Sequence, residues 1–184
     1  MRTLGVLLLL GAASAAGDDN VAPQDDLKPG LISEWFQLDE AIEDFPNVAN
    51  KKPNLRRIDK QINWDQTGDE FADSKMSEHF YVRWTGVLRV PKDGKYTFYT
   101  ESDDGSRLWI GGKQVVDNGG LHAMEEKSGE IELKAGDVEL KVDLFENEGE
   151  VGIKMSWEGA GTSKQIIPAA ALFHKKDPDL DKEK

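Results

Sequence analysis

KYTFYTESDDGSRLWIGG, Lys95 to Gly112, is the stretch whose reading decides the fold. Tyr96 and Phe98 share one face of an extended segment and Thr97 and Tyr99 the other; Leu108 and Ile110 resume the period of two after Asp103-Asp104-Gly105. This predicts two strands joined as a hairpin. Ser102-Asp103-Asp104-Gly105 forms its tip, where a rigid scaffold commonly presents binding residues. Two adjacent carboxylates repel each other, so the pair is either a cation site or a solvated turn. Both readings stand on these residues alone.

The same alternation extends in both directions. Upstream, Phe80, Val82, Trp84, Leu88 and Val90 lie on one parity, with Arg83, Thr85 and Arg89 on the other. That is a long strand with one face on a core. Lys92-Asp93-Gly94 turns the chain into the Tyr96 strand, since glycine takes the positive φ such turns require. Downstream, Val138, Leu140, Val142 and Leu144 alternate with Glu139, Lys141 and Asp143, which places Leu140 and Val142 in the core. Val151, Ile153, Met155 and Trp157 repeat the pattern. Trp84 and Trp157 are core by parity, whereas Trp109 reads as core or barrel surface rather than as a sugar platform.

Further out the signals weaken. Leu31–Leu38 reads as a first strand with Trp35 and Phe36 on opposite faces, and Asp39–Phe45 as a short helix or turn. Asn47–Leu55 is loop, Arg57–Trp64 a strand, Thr67–Ser77 irregular, Lys113–Asp117 a short edge strand, and Gln165–Phe173 a return to the core. Many short strands with regular turns and no long helical pattern predict an all-β fold. The expected architecture is a jelly-roll-like antiparallel β-sandwich or barrel, one domain over residues 30–174.

The chain of 184 residues has 38% hydrophobic composition and a net charge of −12, so phosphate backbones and anionic lipid surfaces repel it. Nucleic acid is excluded as a partner and cations are favoured. With no cysteine, disulfides, thiolate zinc sites and cysteine nucleophiles are excluded as well. Arg2, the apolar run Leu4–Leu10 and Ala13-Ser14-Ala15 read as a signal peptide over residues 1–15, too short in its apolar part to span a bilayer. The expected product is exported, secreted or at the cell surface, with a flexible leader at 16–29 and a charged, disordered tail at 175–184. Asp177, Asp179 and Asp181 have the spacing of a calcium-loop start, but Lys182 occupies the glycine position.

Catalysis is not indicated. The sequence has no Gly-x-Ser-x-Gly elbow, phosphate loop or His-Glu-x-x-His, and His79, His122 and His174 are far apart along it. A glycosidase pair needs carboxyls at least about 5 Å apart flanking the sugar. Neighbours such as Asp103 and Asp104 suit shared ligation better.

YTFYTESDDGSRLWIGGKQVVDNGGLH, followed by KAGDVELKVDLFENEGEVGIKMSWEG and the ending IIPAAALFH, resembles the protective-antigen fourteen-kilodalton domain family. The family occurs in a bacterial toxin component, yeast flocculins and accessory modules of bacterial glycosidases, and the match runs from about Gly30 to His174. The resemblance implies a β-barrel. It also implies a calcium ion bound by two aspartates across a cis peptide and by an asparagine of a neighbouring loop, here Asp103, Asp104 and Asn147, with a glycan bound on that ion. Glu146, Glu148 and Glu150 depart from the neutral and aromatic lining that contacts sugar in flocculins. The expected function is therefore a calcium-dependent, lectin-like carbohydrate-binding module without catalysis. The alternative is a structural, adhesive or protein-interaction module that binds no sugar, its partners other secreted or cell-surface proteins.

Overall fold

The computed structural model describes residues 26–182, so the expected signal peptide and most of the leader lie outside it. Thirteen strands follow in chain order: β1 (Leu27–Pro29), β2 (Leu31–Gln37), β3 (Leu55–Asp59), β4 (Asn63–Thr67), β5 (Phe80–Val90), β6 (Gly94–Asp103), β7 (Ser106–Ile110), β8 (Lys113–Asn118), β9 (Glu125–Leu133), β10 (Gly136–Glu146), β11 (Val151–Gly159), β12 (Thr162–Ile166) and β13 (Leu172–Lys175). They form two sheets. The first runs β1-β13-β5-β10-β7-β8, with β2 also on β5 and β3 on β2; the second runs β12-β11-β6-β9, with β4 on β11. All pairings are antiparallel, giving the expected all-β sandwich.

One expectation is corrected at the centre of the sequence. β6 and β7 are not a hairpin: β6 pairs with β11 and β9 in the second sheet, β7 with β10 and β8 in the first. Asp103-Asp104-Gly105 is the corner at which the chain crosses between sheets. Period-two alternation reports which face of a strand is inward, and both sheets have an inward face. The residues around the corner therefore look the same whether the next strand pairs with the last or packs opposite it. The turn at Lys92-Asp93-Gly94 likewise joins β5 of one sheet to β6 of the other.

The core lies between the sheets. Val82, Trp84, Leu88 and Leu140, Val142, Leu144 face Phe98, Ile153, Met155 and Trp157, all 4% exposed or less. Each such side chain contributes about 1.5–3 kcal/mol by leaving water. The Trp84 indole NH donates to Asp59 Oδ2 at 2.8 Å, and Asp59 pairs with Arg57, so this buried indole and carboxylate satisfy each other. Gly129 of β9 closes one edge against β8: a Cβ there would stand 1.8 Å from the Val115 carbonyl oxygen, so only glycine permits the approach.

A smaller apolar cluster sits on the outside of the first sheet. Phe36, Leu38, Val48, Tyr81 and Phe145 pack there with Ile42 and Phe45, so residues 38–48 cover that face without forming the helix entertained for Asp39–Phe45. The expected strand Arg57–Trp64 also divides. Lys60-Gln61 breaks it into β3 and β4, which belong to different sheets.

The charged C-terminal segment differs from expectation too. Instead of hanging free, it is tied back as far as Asp181. Arg56 donates to Asp177 Oδ2 at 2.7 Å, buried His174 lies 3.2 Å from Asp181 Oδ1, and the Asp177 amide donates to Asp181 Oδ2 at 2.7 Å. The aspartates that looked like a truncated calcium loop serve as anchors and turn caps. Asp177→Ala should cost no more than about 1 kcal/mol, as surface ion pairs do. It should nevertheless speed hydrogen exchange at the Asp179–Asp181 amides, and unchanged protection there would count against the latch.

Candidate functional site

The site forms where β6, β7 and β10 end together at one pole of the sandwich. Ser106 lies beside Leu144 in register and Glu146 beside Phe80, so the corner at Asp103-Asp104 faces the end of β10. Gly105 makes this approach feasible. A Cβ on it would meet Phe145 Cε1 at 2.4 Å, and its carbonyl accepts the Phe145 amide at 2.9 Å. Beneath the corner, Ser102 and Ser106 share a hydroxyl hydrogen bond of 2.7 Å, and Asn118 donates to Ser102 Oγ at 3.2 Å. All three are fully buried, which fixes the corner's path.

The Asp103–Asp104 peptide is cis. Asp103 Oδ2 accepts from Gln66 at 2.6 Å. Asp104 accepts two backbone amides, His122 on Oδ1 and Asn147 on Oδ2, both at 3.0 Å. Its own amide donates to Glu146 Oε2 at 3.1 Å. The carboxylates of Asp103, Asp104 and Glu146 each offer an oxygen within 4.8 Å of the other two. They are 7%, 6% and 0% exposed. Glu146 Oε1 is buried with no hydrogen-bond partner.

That concentration of charge perturbs the acids. Burial, and then the Asp104 and Asp103 charges, push the Glu146 carboxyl up to about 8, and the amide donated by Asp104 only partly opposes this. Burial also raises Asp103, against the Gln66 hydrogen bond, with Asp104 adding to the rise. A bare cluster of this kind is costly, because three acids cannot all ionise out of water without a counter-charge. The donors are hard oxygens, which suit calcium or magnesium rather than zinc or copper.

Of the residues singled out from sequence, Asp103 and Asp104 come together as expected, but Asn147 enters differently. Its backbone amide holds Asp104, while its side-chain oxygen accepts the Ile42 amide at 3.0 Å and so pins the covering segment 38–48 to the site. Glu146 stands with the aspartates instead. In sequence Glu146 groups with Glu148 and Glu150, which are exposed in the folded chain; Glu148 lies 3.2 Å from His79 Nε2. The missed signal was parity, since Leu140, Val142 and Leu144 face inward and Glu146 continues their row. His122 caps the site through its backbone, His79 stands at the rim and His174 lies away in β13. Trp109 is on the outer face of the first sheet, with Lys141 Nζ 3.4 Å above its ring.

Comparison with known proteins agrees with this fold. Residues 27–171 match the PA14 domain family. Anti-sigma-I factor RsgI3 of Acetivibrio thermocellus is 33% identical over 136 residues, which are 73% of this chain and 21% of that protein. The chain thus spans about a fifth of the length of that curated relative. An anti-sigma factor domain-containing protein from Clostridium clariflavum superposes with a TM-score of 0.69 at 30% identity, over 82% of this chain and 48% of that one. The PA14 sugar-binding domain from an RTX adhesin gives a TM-score of 0.68 at 18% identity, over 79% of this chain and 98% of that one, a likeness of fold. The match over residues 27–171, most of the chain, makes this chain a member of the PA14 domain family.

Proposed function

We propose that this chain is an exported, non-catalytic carbohydrate-binding module that holds its glycan through a calcium ion. One observation carries the reading: the buried cluster of Asp103, Asp104 and Glu146, with Glu146 Oε1 unpartnered and aimed among like charges. Calcium takes about 6–8 oxygens. The three carboxylates supply part of that shell, backbone carbonyls of the loop Asn147–Glu150 are candidates for further positions, and the Asn147 side-chain oxygen joins them only if it turns from the Ile42 amide. A bound calcium ion offers its remaining positions to vicinal sugar hydroxyls. The related adhesin domain, described as sugar-binding, supports the glycan class. The adhesin-type neighbour and the signal-peptide pattern support export, and no helix among the described residues is long and apolar enough to cross a membrane.

A second reading is a protein-interaction or structural module in which the ion only braces the corner. The rim favours it in one respect: Leu121, 48% exposed, and the exposed carboxylates of Glu148 and Glu150 make a surface less obviously suited to sugar. A glycan array probed in calcium and again in chelator separates the two. Retention of a glycan in calcium with loss in chelator is the expected result. Calcium binding without any glycan retained moves the assignment to the second reading.

A further inference from the structure

The outer face of the first sheet carries a second concavity, remote from the aspartate corner. Residues 38–48 cover this face at the corner's end, and at the other end Arg89 stacks on Phe173 and pairs with Asp137. Between them a trough of about 540 Å³ runs across β10 and β5, within the size of ordinary ligand sites. It exists because β5 changes partners. β2 pairs with residues 80–85 and β13 with residues 87–88 along the same edge, and Gly86 lies at the fork. The open end is Gly112, which has no side chain and nothing within 4 Å of where a Cβ would project.

The lining selects the chemistry of the occupant. Ile32, Val87 and Trp109 give an apolar and aromatic surface, Lys141 and Lys175 offer donors, Glu139 offers an acceptor and Thr85 offers both. Charges of both signs line the trough, so its polar groups suit a neutral ligand that both donates and accepts hydrogen bonds. A neutral ring with one apolar face and hydroxyls around its edge uses all of them. The Lys141 ammonium lies over the indole at 3.4 Å and 3.6 Å from Asp143 Oδ2, so a sugar ring stacking on Trp109 replaces the cation–π contact of a lysine that still has Asp143 as a partner.

We propose that this trough is a second glycan site, independent of calcium, in which a pyranose ring lies against Trp109 with its hydroxyls on Glu139, Lys141 and Thr85. It shares the glycan class with the function proposed above but none of its residues. The test is retention of the protein on cellulose, chitin and β-1,3-glucan in excess chelator, with the matching hexasaccharides in solution titrations. Binding to at least one of the three should persist in chelator and weaken about tenfold in Trp109→Ala. If Trp109→Ala melts early, Glu139→Ala at an exposed position carries the same test. The proposal fails if nothing is retained without calcium, or if both variants bind as the wild type does. Neither result touches the calcium site, which Asp104→Ala reports separately.

Discussion

Calcium at a hundredfold excess over its Kd should stabilise the protein by about 2.7 kcal/mol, and Asp104→Ala should remove that gain entirely. The first figure is mass action on an ion that binds only the folded chain. For a domain of this size about 3 kcal/mol corresponds to a rise in Tm of roughly 6–12 °C. Asp104 is the sensitive position because it holds the corner from both sides, accepting the His122 and Asn147 amides while its own amide reaches Glu146. Asp104→Ala therefore also lowers stability in the absence of calcium, so the decisive quantity is the difference between calcium and chelator for each protein. Thermal melts in the two conditions, with calorimetric titration of the ion, give it. An equal response of wild type and variant, or none in either, removes metal as a function of this corner.

Much of the fold was legible because its strands are long and their inner residues unambiguous. Phe80 to Val90, Val138 to Leu144 and Val151 to Trp157 alternate without a break, and each is a strand with the predicted face buried. Sheet membership was not legible. Alternation around Asp103-Asp104-Gly105 is satisfied equally by a hairpin and by a crossing between sheets, and what separates them is pairing with β9 and β11, many residues away. Boundaries with little apolar content were also beyond local reading. Residues 38–48 stay on the sheet through Ile42 and Phe45, whose partners Tyr81 and Phe145 are distant in sequence. The C-terminal Asp177 is held by Arg56 in the same long-range way.

The site divides along the same line. Asp103 and Asp104 stand out in the sequence by their adjacency, which leaves a cation site and a solvated turn both open. Asn147 came from the family resemblance, and the structure gives its backbone amide to Asp104 and its side chain to Ile42. Glu146 was set aside as one of three loop glutamates because sequence assigns Phe145 to Glu150 to a loop. In the folded chain β10 runs one residue past Phe145, so the inward parity of Leu144 passes to a charged residue.

That residue carries the sharpest expectation. Glu146→Gln should stabilise the calcium-free protein at pH 8 while destroying most of its response to calcium, two effects of opposite sign from one isosteric change. Burial and the neighbouring aspartates raise the Glu146 carboxyl from its ordinary 4.5 to about 8. Between those values the folded chain binds a proton that the unfolded chain releases. The contribution is thus fully present below about pH 4.5 and is lost as pH climbs through 8, so stability falls over that window. Glutamine keeps the shape and an acceptor oxygen for the Asp104 amide but has nothing to ionise, so its stability stays flatter over the same range. Calcium reverses the trend in the wild type, because the ion needs the charged carboxylate and its stabilisation grows as pH rises. Denaturant melts of both proteins at pH 5, 6.5 and 8, with calcium and with chelator, give every comparison. If the calcium-free wild type and Glu146→Gln have parallel pH profiles, Glu146 is not the buried acid that the geometry makes it. If Glu146→Gln instead keeps the full calcium response, the ion is held by the two aspartates without it.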